Sequence, residues 1–136
     1  MPRERVSQNY LLENNVNPNK IRMYTDFTSL IKGVFPEEYN HLKNGICIIP
    51  NMRMIDKGII SLKNYLILLE KIIEKVSSKG YVTYLLNHEG VEDEKLAYLC
   101  KNRLQKPIEV VTGLNALEVK GLIASSYYAF LPVFMA

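Results

Sequence analysis

The stretch Gly45 to Gly58, GICIIPNMRMIDKG, decides the fold. Ile46-Cys47-Ile48-Ile49 is apolar without alternation, the pattern of a strand covered on both faces by helices. Pro50-Asn51 is a turn signal that ends the strand. Arg53 then places a permanent positive charge just beyond the carboxyl end of a buried element.

Downstream the pattern is regular. Leu62, Tyr65, Leu66, Leu69, Ile72, Ile73 and Val76 recur at helical spacing, with Ser61 placed to cap the helix and Gly80 to stop it. Tyr81–Leu86 reads as a second strand. Glu92-Asp93-Glu94 puts acids at the positive end of a second helix, Lys101 and Arg103 close it, and Pro107 bars continuation. Ile108–Val111 is a third strand. Asn115-Ala-Leu-Glu118 resembles a capping box and starts a third helix running to about Ala124. Tyr127–Phe134 is a fourth strand, which Pro132 confines to an edge or a strand end.

The order β-α-β-α-β-α-β with short connections predicts an α/β fold. It is a three-layer, Rossmann-like parallel sheet of about four strands, with right-handed crossovers and helices on both faces. Residues 1–44 differ, being rich in Asn and Pro, with a short extended piece at Ile21–Tyr24 and a helical turn or two within Thr28–Lys32 before Pro36. They read as a linker segment, and residues 45–136 as the domain.

The totals are those of an ordinary globular protein. The chain has 136 residues, 48% hydrophobic and 23% charged, enough apolar material for a core. A net charge of +3 is too weak a bias to argue for nucleic acid. No apolar run reaches the roughly 18 residues of a membrane span. Met1-Pro2-Arg3-Glu4-Arg5 has no apolar segment behind it, unlike a signal peptide. Cys47 and Cys100 fall at apolar positions and read as buried thiols, and a cytoplasmic protein fits these features best. With two histidines and two distant cysteines no metal-ligand spacing is present. Neither G-x-G-x-x-G, nor a P-loop, nor a nucleophile elbow occurs, so no cofactor is expected.

In open parallel sheets ligands bind beyond the carboxyl ends of the strands. Strand one delivers Asn51 and Arg53 there, strand two Asn87, His88 and Glu89, strand three Thr112, Gly113 and Asn115. Each group shortly precedes a helix start, where free backbone N–H groups favour an anion. Arg53 can hold a carboxylate or phosphate with two parallel hydrogen bonds, or it can be a surface arginine paired with Asp56. His88 reads either as a donor or general acid or as a turn histidine bonded to backbone. Glu89 can simply cap the next helix, and Gly113 can serve the tight turn.

Taken together, "CIIPNMRMIDKG", "LLNHEG" and "VTGLNALEVKGLIASS" resemble the polysaccharide pyruvyl transferase family over about Asp26 to Ser126. The resemblance implies half of a GT-B-like architecture. It also implies an enzyme that moves the pyruvyl group of phosphoenolpyruvate onto sugar hydroxyls of a cell-surface glycan. Carried across, Arg53 would grip the donor with Asn51 in the same loop. His88 and Glu89 would occupy the second loop and Asn115 and Glu118 the later helix start, with His88 the catalytic candidate. The family typically continues into Ser-Ser-Arg-Phe-His-Gly, where this chain reads Leu131-Pro-Val-Phe-Met-Ala136, with Val133 and Met135 in place of the basic pair. The expectation is therefore a donor-binding domain incomplete at its C-terminus, a fragment inactive alone. Two other readings stay open. One is a non-catalytic interaction module that self-associates through the sheet edge. The other is a nucleotide-sugar glycosyltransferase donor domain.

Overall fold

The computed structural model describes residues 4–23 and 27–131. The chain forms two compact units that divide at Gly33.

The first unit holds helix α1, Arg5–Glu13, and two 3-10 turns, Pro18–Lys20 and Phe27–Leu30. No residue of α1 is buried, and Tyr10 is 65% exposed. The Pro18 turn follows local chemistry, since Asn17 Oδ1 accepts the Asn19 N–H at 2.9 Å and proline opens the turn. Residues 21–23 form no regular element, and Tyr24, the end of the expected extended piece, lies outside the described residues.

The second unit is an α/β fold with a four-stranded, all-parallel sheet and helices on both faces, a Rossmann-like arrangement. Its strands are β1 Ile46–Ile48, β2 Thr83–Leu86, β3 Glu109–Val111 and β4 Tyr128–Phe130, in the order β3-β2-β1-β4. Cys47 sits opposite Tyr84 on one side and Ala129 on the other, and Leu85 opposite Val110. The helices are α2 Arg53–Asp56, α3 Leu62–Ser77, α4 Gly90–Arg103 and α5 Ala116–Ser125.

The two-faced burial of β1 follows from its alternation. Ile46 and Ile48 join Leu85 beneath α3 and α4, packing with Tyr65, Leu66, Leu69, Ile73, Leu96, Ala97 and Cys100. Cys47 and Ile49 turn to the opposite face, with Tyr84, Leu86, Val111 and Leu122 of α5. Each fully buried Leu or Ile side chain contributes about 1.5–3 kcal/mol, so the period-two split of three strands supports both layers.

The caps of α3 and α5 are those the residues indicate. Ser61 Oγ accepts the Asn64 N–H, and Asn115 with Glu118 completes a capping box. The strands are shorter at their starts than the apolar runs, since Tyr81, Val82 and Ile108 lie outside the ladder.

The second compact unit takes in residues from Gly33 onward, ahead of β1. Leu42 and Tyr39 belong to a 3-10 stretch, Glu37–Leu42; Leu42 is buried there, and Tyr39 and the preceding Phe35 pack on the α5 face. Gly33 and Gly121 make this possible. A Cβ on Gly121 would lie 2.7 Å from the Phe35 nitrogen and closer still to the Val34 carbonyl. The glycine in α5 thus lets one backbone cross another, and Val34 N–H bonds to Leu117 O at 2.9 Å.

At the other end, β4 is exposed along its whole length, Tyr128 being 65% accessible. The rest of the expected strand, from Pro132 to Phe134, lies outside the described residues, as do Val133, Met135 and Ala136. No helix among the described residues is long and apolar enough to cross a membrane.

Candidate functional site

The carboxyl ends of β1 and β2 bring charged groups together. Arg53 Nη2 lies 3.0 Å from Glu89 Oε1, and His88 Nε2 is 4.0 Å from the other Glu89 oxygen. The Arg53 and Glu89 side chains are 70% and 52% exposed, that of His88 only 25%. Arg53 therefore reaches toward the tip of the second loop while most of its surface meets water. Glu89 is also the residue before α4, and its side chain makes no capping bond there. Its carboxylate faces Arg53.

The loop beneath Arg53 is heavily braced. Asn51 is 2% exposed; its N–H donates to the Tyr65 hydroxyl at 3.1 Å and its Oδ1 accepts the Arg53 N–H at 2.9 Å. Between them, the Met52 N–H donates to Asp93 Oδ1 at 2.7 Å. Three successive amides at the end of β1 are thus taken by side-chain oxygens. An anion here meets the Arg53 side chain and not a row of free backbone N–H groups. The same holds at α5, where Asn115 Oδ1 accepts the Leu117 and Glu118 N–H groups and the Asn115 N–H goes to Glu118. Asn115 is a helix cap in this structure.

Asn87 and Thr112 join the ends of β2 and β3. Asn87 N–H bonds to Val111 O, and its Nδ2 reaches Thr112 Oγ1 at 3.3 Å. Asn87 Oδ1 is buried without a hydrogen-bond partner, a state that costs about 1–3 kcal/mol. Gly113 has φ +77°, and a Cβ there would meet nothing within 4 Å. Its glycine is required by the turn and not by a close neighbour. No hydrogen bond or ion pair among the described residues links Thr112, Gly113 or Asn115 to Arg53.

Two members of the braced loop were read in the sequence for other qualities. Tyr65 counted as one apolar position of a helix, and Asp93 as an acid at a helix start. Yet Asp93, Leu96, Ala97 and Cys100 fall at i, i+3, i+4 and i+7, so Asp93 shares the buried stripe of α4. That spacing was the available signal. Burial raises the Asp93 carboxyl above its ordinary range against the opposing pull of the Met52 N–H. Burial likewise pushes the Tyr65 hydroxyl up to about 12, keeping it a neutral O–H that accepts from Asn51.

A cavity of about 560 Å³ lies at the opposite end of the sheet, lined by Ile73, Ser77, Thr83, Leu104 and Ile108 among others. The strand-end rule and the meeting of Arg53, His88, Glu89 and Asp93 favour the carboxyl ends, and chemistry decides the choice. No group of three or more potential metal ligands occurs among the described residues.

Comparison with protein-family models, with curated proteins and with solved structures returned no match. The likeness to pyruvyl transferases rests on the residues quoted above.

Proposed function

We propose that the strand ends of this chain form the donor side of a polysaccharide pyruvyl transferase, binding phosphoenolpyruvate through Arg53. The carrying observation is the guanidinium held beyond β1, over the start of α4, by a loop whose own amides are already used. Phosphoenolpyruvate brings a carboxylate and a phosphate, either of which matches the planar fork of an arginine. On binding it displaces Glu89 from Arg53. His88, less exposed and beside Glu89, then faces the donor as the proton source.

In the transfer itself, the enol methylene gains a proton to become methyl, and two sugar hydroxyls bond to the central carbon as phosphate leaves. The two hydroxyl protons are balanced by the new methyl hydrogen and by the departing phosphate. Protonation and stabilisation of positive charge at the ketal carbon are the two catalytic tasks. The glycan acceptor, the GT-B-like companion half and a cytoplasmic setting belong to this reading. Calorimetry at low salt should show phosphoenolpyruvate binding that weakens with added salt and disappears in Arg53→Ala. Absence of binding by the folded protein refutes the reading.

A second reading, self-association through β4, draws on that strand's exposure. The run from Ser125 to Leu131 carries no charge to guard the edge, and Tyr127, Tyr128 and Phe130 stand open. Light scattering should then show a concentration-dependent dimer that Tyr128→Lys disrupts, and a monomer at every concentration excludes it. A nucleotide-sugar site gains no support from the strand-end contacts.

A further inference from the structure

Asp93 lies in the first turn of α4 yet is only 5% exposed. An acid placed there merely to meet the helix dipole would stand in water, since unpaired carboxylates are almost never fully buried. Its partner is specific. The Met52 N–H that it accepts belongs to the residue immediately before α2, so this bond fixes where that helix begins. Tyr65 and Asn51 tie the amides on either side. The first turn of α2 cannot shift without leaving a buried carboxylate and a partly buried amide unpaired, a real loss in a setting of lowered dielectric. Arg53 is the next residue along, and its guanidinium reaches Glu89, which precedes the same helix that carries Asp93. Clamp and charged contact share one helix start.

We propose that Asp93 is a positioning residue of the anion site, its carboxylate holding the Met52 N–H so that α2 presents Arg53 over the start of α4. This rests on the reading of Arg53 as the donor-binding group. Asp93 never needs to touch the ligand. The ionisable groups around it are His88 and Glu89 from the β2–α4 loop, Arg53 from α2 and Tyr65 from α3. Two of these, Arg53 and His88, favour its charged form, whereas burial and Glu89 oppose it. The clamp needs an acceptor oxygen on the Met52 N–H, which the amide oxygen of asparagine can supply as well.

The test pairs a ligand-free readout with a binding one. Hydrogen exchange of the Met52 amide, followed by NMR, reports the clamp directly, and calorimetry with phosphoenolpyruvate reports the site. Asp93→Asn should keep the wild-type protection of Met52 and bind phosphoenolpyruvate at least as tightly. Asp93→Ala, with its sheet amides still protected, should lose the Met52 protection and bind about fivefold or more weakly. The proposal is overturned if Asp93→Asn loses affinity or Met52 protection, an arm that holds even where the alanine variant does not fold. It is also overturned if folded Asp93→Ala behaves as the wild type. Absence of phosphoenolpyruvate binding to the wild-type protein removes the donor reading and the role of Asp93 together. Wild-type binding with an indifferent Asp93→Ala removes the role alone.

Discussion

Replacing Glu89 by glutamine asks directly whether Arg53 is held in reserve for an anion. The two side chains meet at 3.0 Å but are 70% and 52% exposed. A pair this open to water contributes about 0.2–1 kcal/mol, far below the figure for a dry pair. Glutamine keeps the shape and a carbonyl acceptor while removing the charge that competes with the ligand. An anion that must displace Glu89 should accordingly bind Glu89→Gln about 1.4- to 5-fold more tightly than wild type. Loss of repulsion between the carboxylate and the ligand acts in the same direction and fades with salt. Calorimetry with phosphoenolpyruvate at low and high salt measures both effects, and the Arg53→Ala/Glu89→Gln double variant should bind as poorly as Arg53→Ala. Equal or weaker binding by Glu89→Gln would refute the displacement argument, because a free acid would then be helping the ligand.

Further outcomes concern the scaffold. Gly121→Ala gains about 1 kcal/mol of helix propensity. It also drives a methyl into the Val34–Phe35 backbone, costing about 1–3 kcal/mol, and breaks the Val34–Leu117 bond at about 0.5–1.5 kcal/mol. Thermal melts should show a net loss of roughly 0.5–3.5 kcal/mol, or about 2–14 °C in Tm, and a raised Tm would contradict the close crossing. Burial pushes the Cys47 thiol up to about 12 and the Cys100 thiol to about 11, so neither should alkylate at pH 8 until the protein is denatured. Both thiols hold their protons more tightly folded than at the ordinary value of 9.0, so their contribution to stability is complete below that pH and is lost progressively as pH rises from there through the folded values of about 11 and about 12. Denaturant melts above pH 9 should show this decline, and rapid native alkylation would refute the burial.

The layers were legible because α3 repeats its apolar residues at turn spacing and α3, α4 and α5 announce their ends by caps and charge. Ser61 and Asn115 cap as their chemistry dictates, and Ile46–Ile49 could be buried on both faces only between helices. The segment before β1 was harder. Phe35, Tyr39 and Leu42 have no period because a 3-10 stretch and a glycine crossing place them, and those are tertiary facts. Helix α1 was missed for a related reason, since none of its residues is buried and it lies in the Asn- and Pro-rich segment that reads as a linker. Of the site, the strand-end residues were found but their duties were only half visible. Asn51 turns out to serve the backbone, an outcome set by where its amide oxygen points. Asp93 was hidden because an acid at a helix start has an ordinary explanation that spacing alone contradicts.

The strand order carries a consequence for how the sheet is put together. Ile46 finds Thr83 after a single helical crossover, whereas its partnership with Tyr128 waits for nearly the whole unit to be threaded past it. Closing the longer loop demands more chain entropy for a strand that then shields little from water. The β4 ladder should therefore be the last to zip and the first to fray. The floor beside Asn51 and Arg53 is in place before that margin is sewn on.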